Sequence, residues 1–125
     1  MVNLIMKRER RKSARVPALV ETHWEGPSGY HVARISDISL GGCFLDTTGE
    51  ARVGDKIKLK ILLPTEQWLV LSGTVAYDHS PLGYGVVFSS MSDRHRSALS
   101  LLIDVITGSM QNESAGQRER FAFAR

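Results

Sequence analysis

Cysteine is almost missing from this chain, with Cys43 standing alone among 125 residues. No internal disulfide can form, so the fold must hold without a covalent staple, and a lone thiol is at ease in a reducing compartment. Nothing in the sequence ties any of the four histidines to it as a base, so Cys43 reads as a buried structural residue rather than a nucleophile. Long apolar runs are lacking too. The longest strongly apolar stretch, Trp68-Leu69-Val70-Leu71, falls far short of the roughly 20 residues a spanning helix needs, and no membrane span is expected. The chain opens Met1-Val2-Asn3-Leu4-Ile5-Met6 and only then turns basic, the reverse of a secretory signal, so the expected location is the cytoplasm. Neither GxxxxGK[ST] nor GxGxxG occurs, which removes the common phosphate-cradling loops. His23, His31, His79 and His95 are spaced too widely for a metal-ligand pattern. No metal and no cofactor are expected, and no local arrangement of nucleophile and base supports an enzyme.

What is present is the composition of one ordinary globular domain, 42% hydrophobic and 23% charged. The formal net charge of +3 is unevenly spread. Lys7-Arg8-Glu9-Arg10-Arg11-Lys12-Ser13-Ala14-Arg15 holds six positive charges against one negative, and the rest of the chain is slightly acidic. A cluster of this kind suits a polyanion, an anionic surface or a phosphate-bearing small molecule.

Residues 1–14 show no sustained hydrophobic period and are read as a flexible basic arm. From Val16, alternation through Ala18, Val20 and Trp24 gives a strand with one buried face, with Pro17 confined to its start or edge. Gly26-Pro27-Ser28-Gly29 is a turn signal, and Tyr30 to Ser36 returns as a second strand. Asp37 to Gly42 reads as a polar break, followed by a short strand at Cys43-Phe44-Leu45. Lys56 to Ile61 alternates lysine with aliphatic residues. Trp68 to Tyr77 is a longer strand with a bulge or bend expected at Gly73, and Tyr84 to Phe88 ends the β region. Six short strands with frequent turns suggest a barrel or a sandwich. Ser92 then offers an N-cap to a helix with Leu99, Leu102, Ile103 and Ile106 on one stripe, widened by Ala98, Leu101 and Val105, and Gly108 as its stop. Residues 108–125 are read as a disordered tail in which Phe121 and Phe123 are candidate anchors.

Two short patterns carry the functional reading. Arg10-Arg11-x-x-x-Arg15 immediately precedes the first strand, and Asp37-x-Ser39-x-x-Gly42 lies between the second and third. Together, in that order and setting, they resemble the RxxxR and [D/N]xSxxG signature of the PilZ family over roughly residues 8 to 106. The resemblance implies a mainly β fold, a six-stranded antiparallel PilZ-type β-barrel over residues 15–107 that ends in a C-terminal α-helix. It also implies a receptor for the bacterial second messenger cyclic di-GMP, with Arg10, Arg11, Arg15, Asp37, Ser39, Gly41 and Gly42 at the ligand. Tyr77, on the late strand, occupies the place where some members use an aromatic residue, and Leu82 to Phe88 resembles the family's Gly-x-Gly strand, with a structural role.

The residue types suit that ligand. Its two phosphates and the O6/N7 pairs of its two guanines match the planar, permanently charged fork of arginine, whose face also stacks on purines. Asp37 can accept from the guanine N1 and N2 hydrogens, Ser39 can donate to a phosphate or base, and Gly41 and Gly42 can shape the turn. The alternative for Asp37 and Ser39 is purely local, with both side chains capping backbone amides of the turn. One ligand molecule or an intercalated pair is compatible with Arg10 beside Arg11. The expected partner is a protein effector, contacted through the C-terminal helix or the tail. A PilZ-like interaction module without ligand binding, and nonspecific nucleic-acid binding by the arm, are the competing readings. Relatives of the first kind generally lack these arginine and Asp-x-Ser elements, and the second would show steep salt dependence with little nucleotide discrimination.

Overall fold

The computed structural model describes residues 15–115. Six antiparallel strands, β1 (Val16–Gly26), β2 (Gly29–Ile38), β3 (Gly42–Asp46), β4 (Lys56–Leu62), β5 (Trp68–His79) and β6 (Gly83–Phe88), are followed by one helix, α1 (Asp93–Ala115). The strands close into a barrel in the order β1-β2-β3-β6-β5-β4, β4 pairing back onto β1. Closure leaves no long unpaired edge. The architecture is the one the sequence implies, a barrel rather than a sandwich.

Alternation explains the wall. In β4, Ile57, Leu59 and Ile61 are buried while Lys56 and Lys58 face water, as a period of two requires when only one face meets the core. Trp24 fills the interior from β1 and donates its indole N–H to Thr47 Oγ1 at 3.1 Å, so its one polar atom is not left unpaired. Ile35, Ile38, Leu45 and Val75 complete the interior with Cys43, whose thiol is fully buried. Burial pushes that thiol's pKa well up, which keeps it protonated and unreactive. α1 packs against β1 and β5. Its Leu99 and Leu102 enter the core, each burial contributing about 1.5–3 kcal/mol. Ser92 caps it as expected, accepting from the His95 amide at 3.1 Å.

Three expectations are corrected. The break foreseen at Asp37 starts two residues later, because Ile38 is fully buried and pairs with Val16 and Cys43, which keeps the strand going. Gly73 carries no bulge. It sits in regular register with Ile57 and Phe88, where a Cβ would come within 2.7 Å of Val86 Cγ1 and 2.9 Å of the Val87 carbonyl oxygen, so the glycine serves close packing. The irregularity in β5 falls instead between Val75 and Tyr77. Finally, α1 runs through Gly108 to Ala115. A single helical glycine costs only about 1 kcal/mol relative to alanine, and no proline follows within the helix to end it. The remainder of the expected tail, with Phe121 and Phe123, lies outside the described residues, as does the arm of residues 1–14.

Candidate functional site

Two bulges create the site. In β2, Ile35 is buried, so a regular strand would turn Asp37, two residues on, toward the core. The register with β3 instead skips Ser36, pairing Ile35 with Leu45 and Asp37 with Phe44. The extra residue reverses the parity, so that Ile38 points in and Asp37 points out. β5 repeats the device. Val75 is buried, Ala76 is skipped against β6, and Tyr77 emerges on the outer face paired with Gly85. Since β2, β3, β6 and β5 are consecutive neighbours, Asp37, Phe44, Gly85 and Tyr77 form one row across the outside of the barrel.

Gly85 is the gap in that row, and the gap is occupied. A Cβ at Gly85 would overlap the Tyr77 ring, so the phenol lies across β6 toward Phe44 and Asp37. Phe44, Tyr77 and His79 make an aromatic cluster, with ring centroids 6.3 Å apart for Phe44 and Tyr77 and 4.9 Å apart for Tyr77 and His79.

Arg15, the last residue before β1, reaches into the row from the β1 side. Its Nη1 donates to Asp37 Oδ1 at 2.9 Å, an ion pair in which each side chain keeps about a third of its surface exposed, 32% and 35%. Burial by itself would lower the Arg15 pKa, but the Tyr77 phenol and the Asp37 carboxylate outweigh it and hold it above its ordinary value. The three groups therefore sit together: a permanent cation, a carboxylate and a phenol on one partly exposed face. At this exposure the pair contributes no more than about 1 kcal/mol to stability, so its placement matters more than its strength.

The Ser39 hydroxyl is engaged within its own turn. Ser39 is buried, and its Oγ accepts from the Gly41 and Gly42 amides at 3.1 and 3.2 Å, while its own amide donates to the Gly42 carbonyl at 2.8 Å. The hydroxyl thus closes the turn, which is the local alternative that the sequence allows. Gly41 is exposed and its carbonyl accepts from the Phe88 amide at 2.9 Å. Gly42 is buried where a Cβ would overlap the Val86 carbonyl oxygen, so its smallness serves the approach of β3 to β6.

Of the expected site residues, Arg15, Asp37 and Tyr77 come together, with Ser39, Gly41 and Gly42 forming the turn beside them. Arg10 and Arg11 lie outside the described residues. Sequence reasoning did not single out Phe44, Gly85 or His79 for the site. Phe44 was within reach, because it lies between the apolar Cys43 and Leu45 and so must face outward. Among the described residues no group of three His, Cys, Asp or Glu side chains is placed to hold a metal ion, and no helix is long and apolar enough to cross a membrane.

Comparison with known proteins points the same way. A family model described as PilZ domain matches residues 9–104. No curated protein matches the chain. Among solved structures, YcgR from Escherichia coli in complex with c-di-GMP is similar at 14% identity with a TM-score of 0.71, covering 85% of this chain and 50% of that one. The Bacillus subtilis inhibitor of motility (MotI/DgrA) is similar at 18% identity and TM-score 0.63, covering 79% of this chain and 52% of that one. The PilZ domain of CeSA from a cellulose-synthesizing bacterium is similar at 14% and TM-score 0.61, covering 74% of this chain and 97% of that one. The chain thus spans nearly all of the isolated domain and about half the length of the two larger relatives.

Proposed function

The chain belongs to the PilZ domain family, and from that membership we propose that it is a cyclic di-GMP receptor working as an adaptor in the bacterial cytoplasm, without catalysis. The observation that carries this reading is the Arg15–Asp37 ion pair with Tyr77 alongside it, set outside the barrel by two bulges. Asp37 Oδ1 is occupied by Arg15, which leaves Oδ2 to accept from the N1 and N2 hydrogens of a guanine. Arg15 then serves a phosphate or the guanine O6/N7 edge, the Tyr77 ring offers an aromatic face, and Arg10 and Arg11 bring the remaining positive charge from the arm. Ser39 contributes by holding the Gly41-Gly42 turn. That similar E. coli YcgR was captured with c-di-GMP supports the choice of ligand.

Binding is the switch in this scheme. The ligand draws the basic arm onto the barrel wall, and the reorganised surface is offered to a protein partner. Leu101 and Val105, which α1 leaves exposed, suit such a contact. Four or five charge-assisted or stacking contacts are enough for micromolar affinity, about −8 kcal/mol, after ordering costs.

The test is isothermal calorimetry of the full chain with cyclic di-GMP, with GMP, GTP and linear pGpG alongside at fixed salt. Saturable binding restricted to the cyclic dinucleotide is expected, with a stoichiometry that separates one ligand from an intercalated pair. Equal weak binding of all four, falling steeply with salt, would leave only a polyanion-binding arm. Gly85→Ala provides a second check. The new methyl must push the Tyr77 ring off β6, so both it and Tyr77→Ala should weaken the ligand by about 3- to 10-fold, the worth of one aromatic stack. Gly85→Ala in the Tyr77→Ala background should then cost nothing more.

A further inference from the structure

Beside the ligand row lies a surface for which the receptor reading has no use. An open groove of about 730 Å³ runs between the outer faces of β1 and β2, the residues after β3 and the β5–β6 loop. Its walls include Leu19, Val32, Pro81 and Leu82. Leu19, Val32 and Leu82 are 74%, 67% and 68% exposed. Single exposed aliphatic residues are ordinary, but three around one groove form a patch that normally meets something. Three charges share the groove: Arg34 stands in register between Glu21 of β1 and Asp46 of β3, so carboxylates outnumber the cation by two to one. The groove adjoins the ligand row directly, since Asp46 follows Phe44 by two residues on the same outer face of β3.

We infer that this groove is the seat of the chain's own N-terminal segment, with Leu4, Ile5 and Met6 against Leu19, Val32 and Leu82, and Lys7 and Arg8 against Glu21 and Asp46. Pattern and charge both match: an apolar stretch followed at once by two cations meets an apolar groove bordered by carboxylates. Reach is sufficient. Asp37 and Val32 are five residues apart on β2, about 17 Å at the rise of a strand. The nine residues from Arg15 back to Met6 span up to about 30 Å, enough to turn back at Arg15, pass over a ligand at Asp37 and arrive at the groove. The inference rests on the receptor reading for its coupling: the arm residues that meet the ligand, Arg10 and Arg11, lie between Arg15 and the docked segment. Docking therefore reports ligand occupancy, and a bound ligand covers the groove that the free protein leaves open to a competitor.

The experiment places a nitroxide on Met6→Cys in the full chain, where buried Cys43 escapes labelling, and follows methyl resonances in protein whose cyclic di-GMP saturation is set by calorimetry. Loss of the Leu19, Val32 and Leu82 methyl signals, with Leu101 and Val105 unaffected, is expected. Leu82→Asp should abolish the loss and weaken cyclic di-GMP by about fivefold, a modest coupling between two sites. Unchanged groove methyls in saturated protein overturn the docking and leave the receptor reading standing. Absence of ligand binding in calorimetry overturns the receptor reading, and unchanged methyls in the free protein then overturn the docking as well. Signal loss only between spin-labelled and isotope-labelled copies assigns the groove to a second chain, and signal loss only from a nitroxide on Ala124→Cys assigns it to the C-terminal residues. Either result also overturns the inference.

Discussion

Arg15→Ala is expected to weaken cyclic di-GMP binding by about 10- to 150-fold while leaving the fold almost untouched. The first half follows from the loss of one charge-assisted contact, worth about 1.5–3 kcal/mol, which converts to that range of affinity. The second follows from exposure: the Arg15–Asp37 pair keeps a third of its surface in water, so its removal should shift unfolding by less than about 1 kcal/mol. Arg15→Lys should recover only part of the loss, since a point charge replaces phosphate attraction but not the planar fork that meets Asp37 and a guanine edge together. Asp37→Ala is expected to cause a similar loss, and the double substitution should cost clearly less than the two singles combined, because each single removes the same organised pair. Calorimetry on the four proteins with urea unfolding alongside makes the measurement. Additive losses would mean that Arg15 and Asp37 meet the ligand independently, and unaltered binding in both singles would remove the site from this face of the barrel.

The period-two pattern explains how much of this site was legible beforehand. Alternation in Val16 to Trp24 and in Lys56 to Ile61 gave away the barrel wall, and Gly26 to Gly29 and Ser92 marked a hairpin and a cap that the structure contains. The expected residues named two members of the row, Asp37 and Tyr77, but not how it is made. Asp37 stands two after buried Ile35, and Tyr77 two after buried Val75, so alternation alone assigns both to the interior. Each reaches the outside only because Ser36 or Ala76 is skipped in the pairing, and a skip is a relation between two strands that neither segment displays alone. The same blindness put a bulge or bend at Gly73, where the glycine answers to Val86 on the neighbouring strand. Ser39 was ambiguous for another reason. Its hydroxyl suits a ligand and a turn equally well, and only the distances to the Gly41 and Gly42 amides assign it to the turn.

Gly42→Ala is expected to destabilise the protein by about 3 kcal/mol, more than a surface substitution can and close to the cost of overpacking a core. The added methyl would overlap the Val86 carbonyl oxygen, and that oxygen belongs to backbone, not to a side chain that can swing away. Relief requires β3 to move off β6, yet the two are locked in register from Gly42–Val87 to Asp46–Gly83 and tied beyond it by the Phe88 amide on the Gly41 carbonyl. Moving β3 also opens the Ser39 turn, because two of its hydrogen bonds end on Gly42. Asp37, paired with Phe44 on that same strand, would then lose its place beside Arg15, so ligand affinity should fall together with stability. Gly108→Ala is the control. Among the described residues, and apart from its chain neighbours and the helix's own backbone, no atom lies within 4 Å of its added methyl, and in mid-helix it should stabilise by about 0.5–1 kcal/mol without changing affinity. Urea midpoints and cyclic di-GMP titrations of both variants decide the matter. A Gly42→Ala protein as stable as the parent would mean that β3 and β6 are not held as closely as the Gly42 contact requires, and the turn would lose its claim to position Asp37.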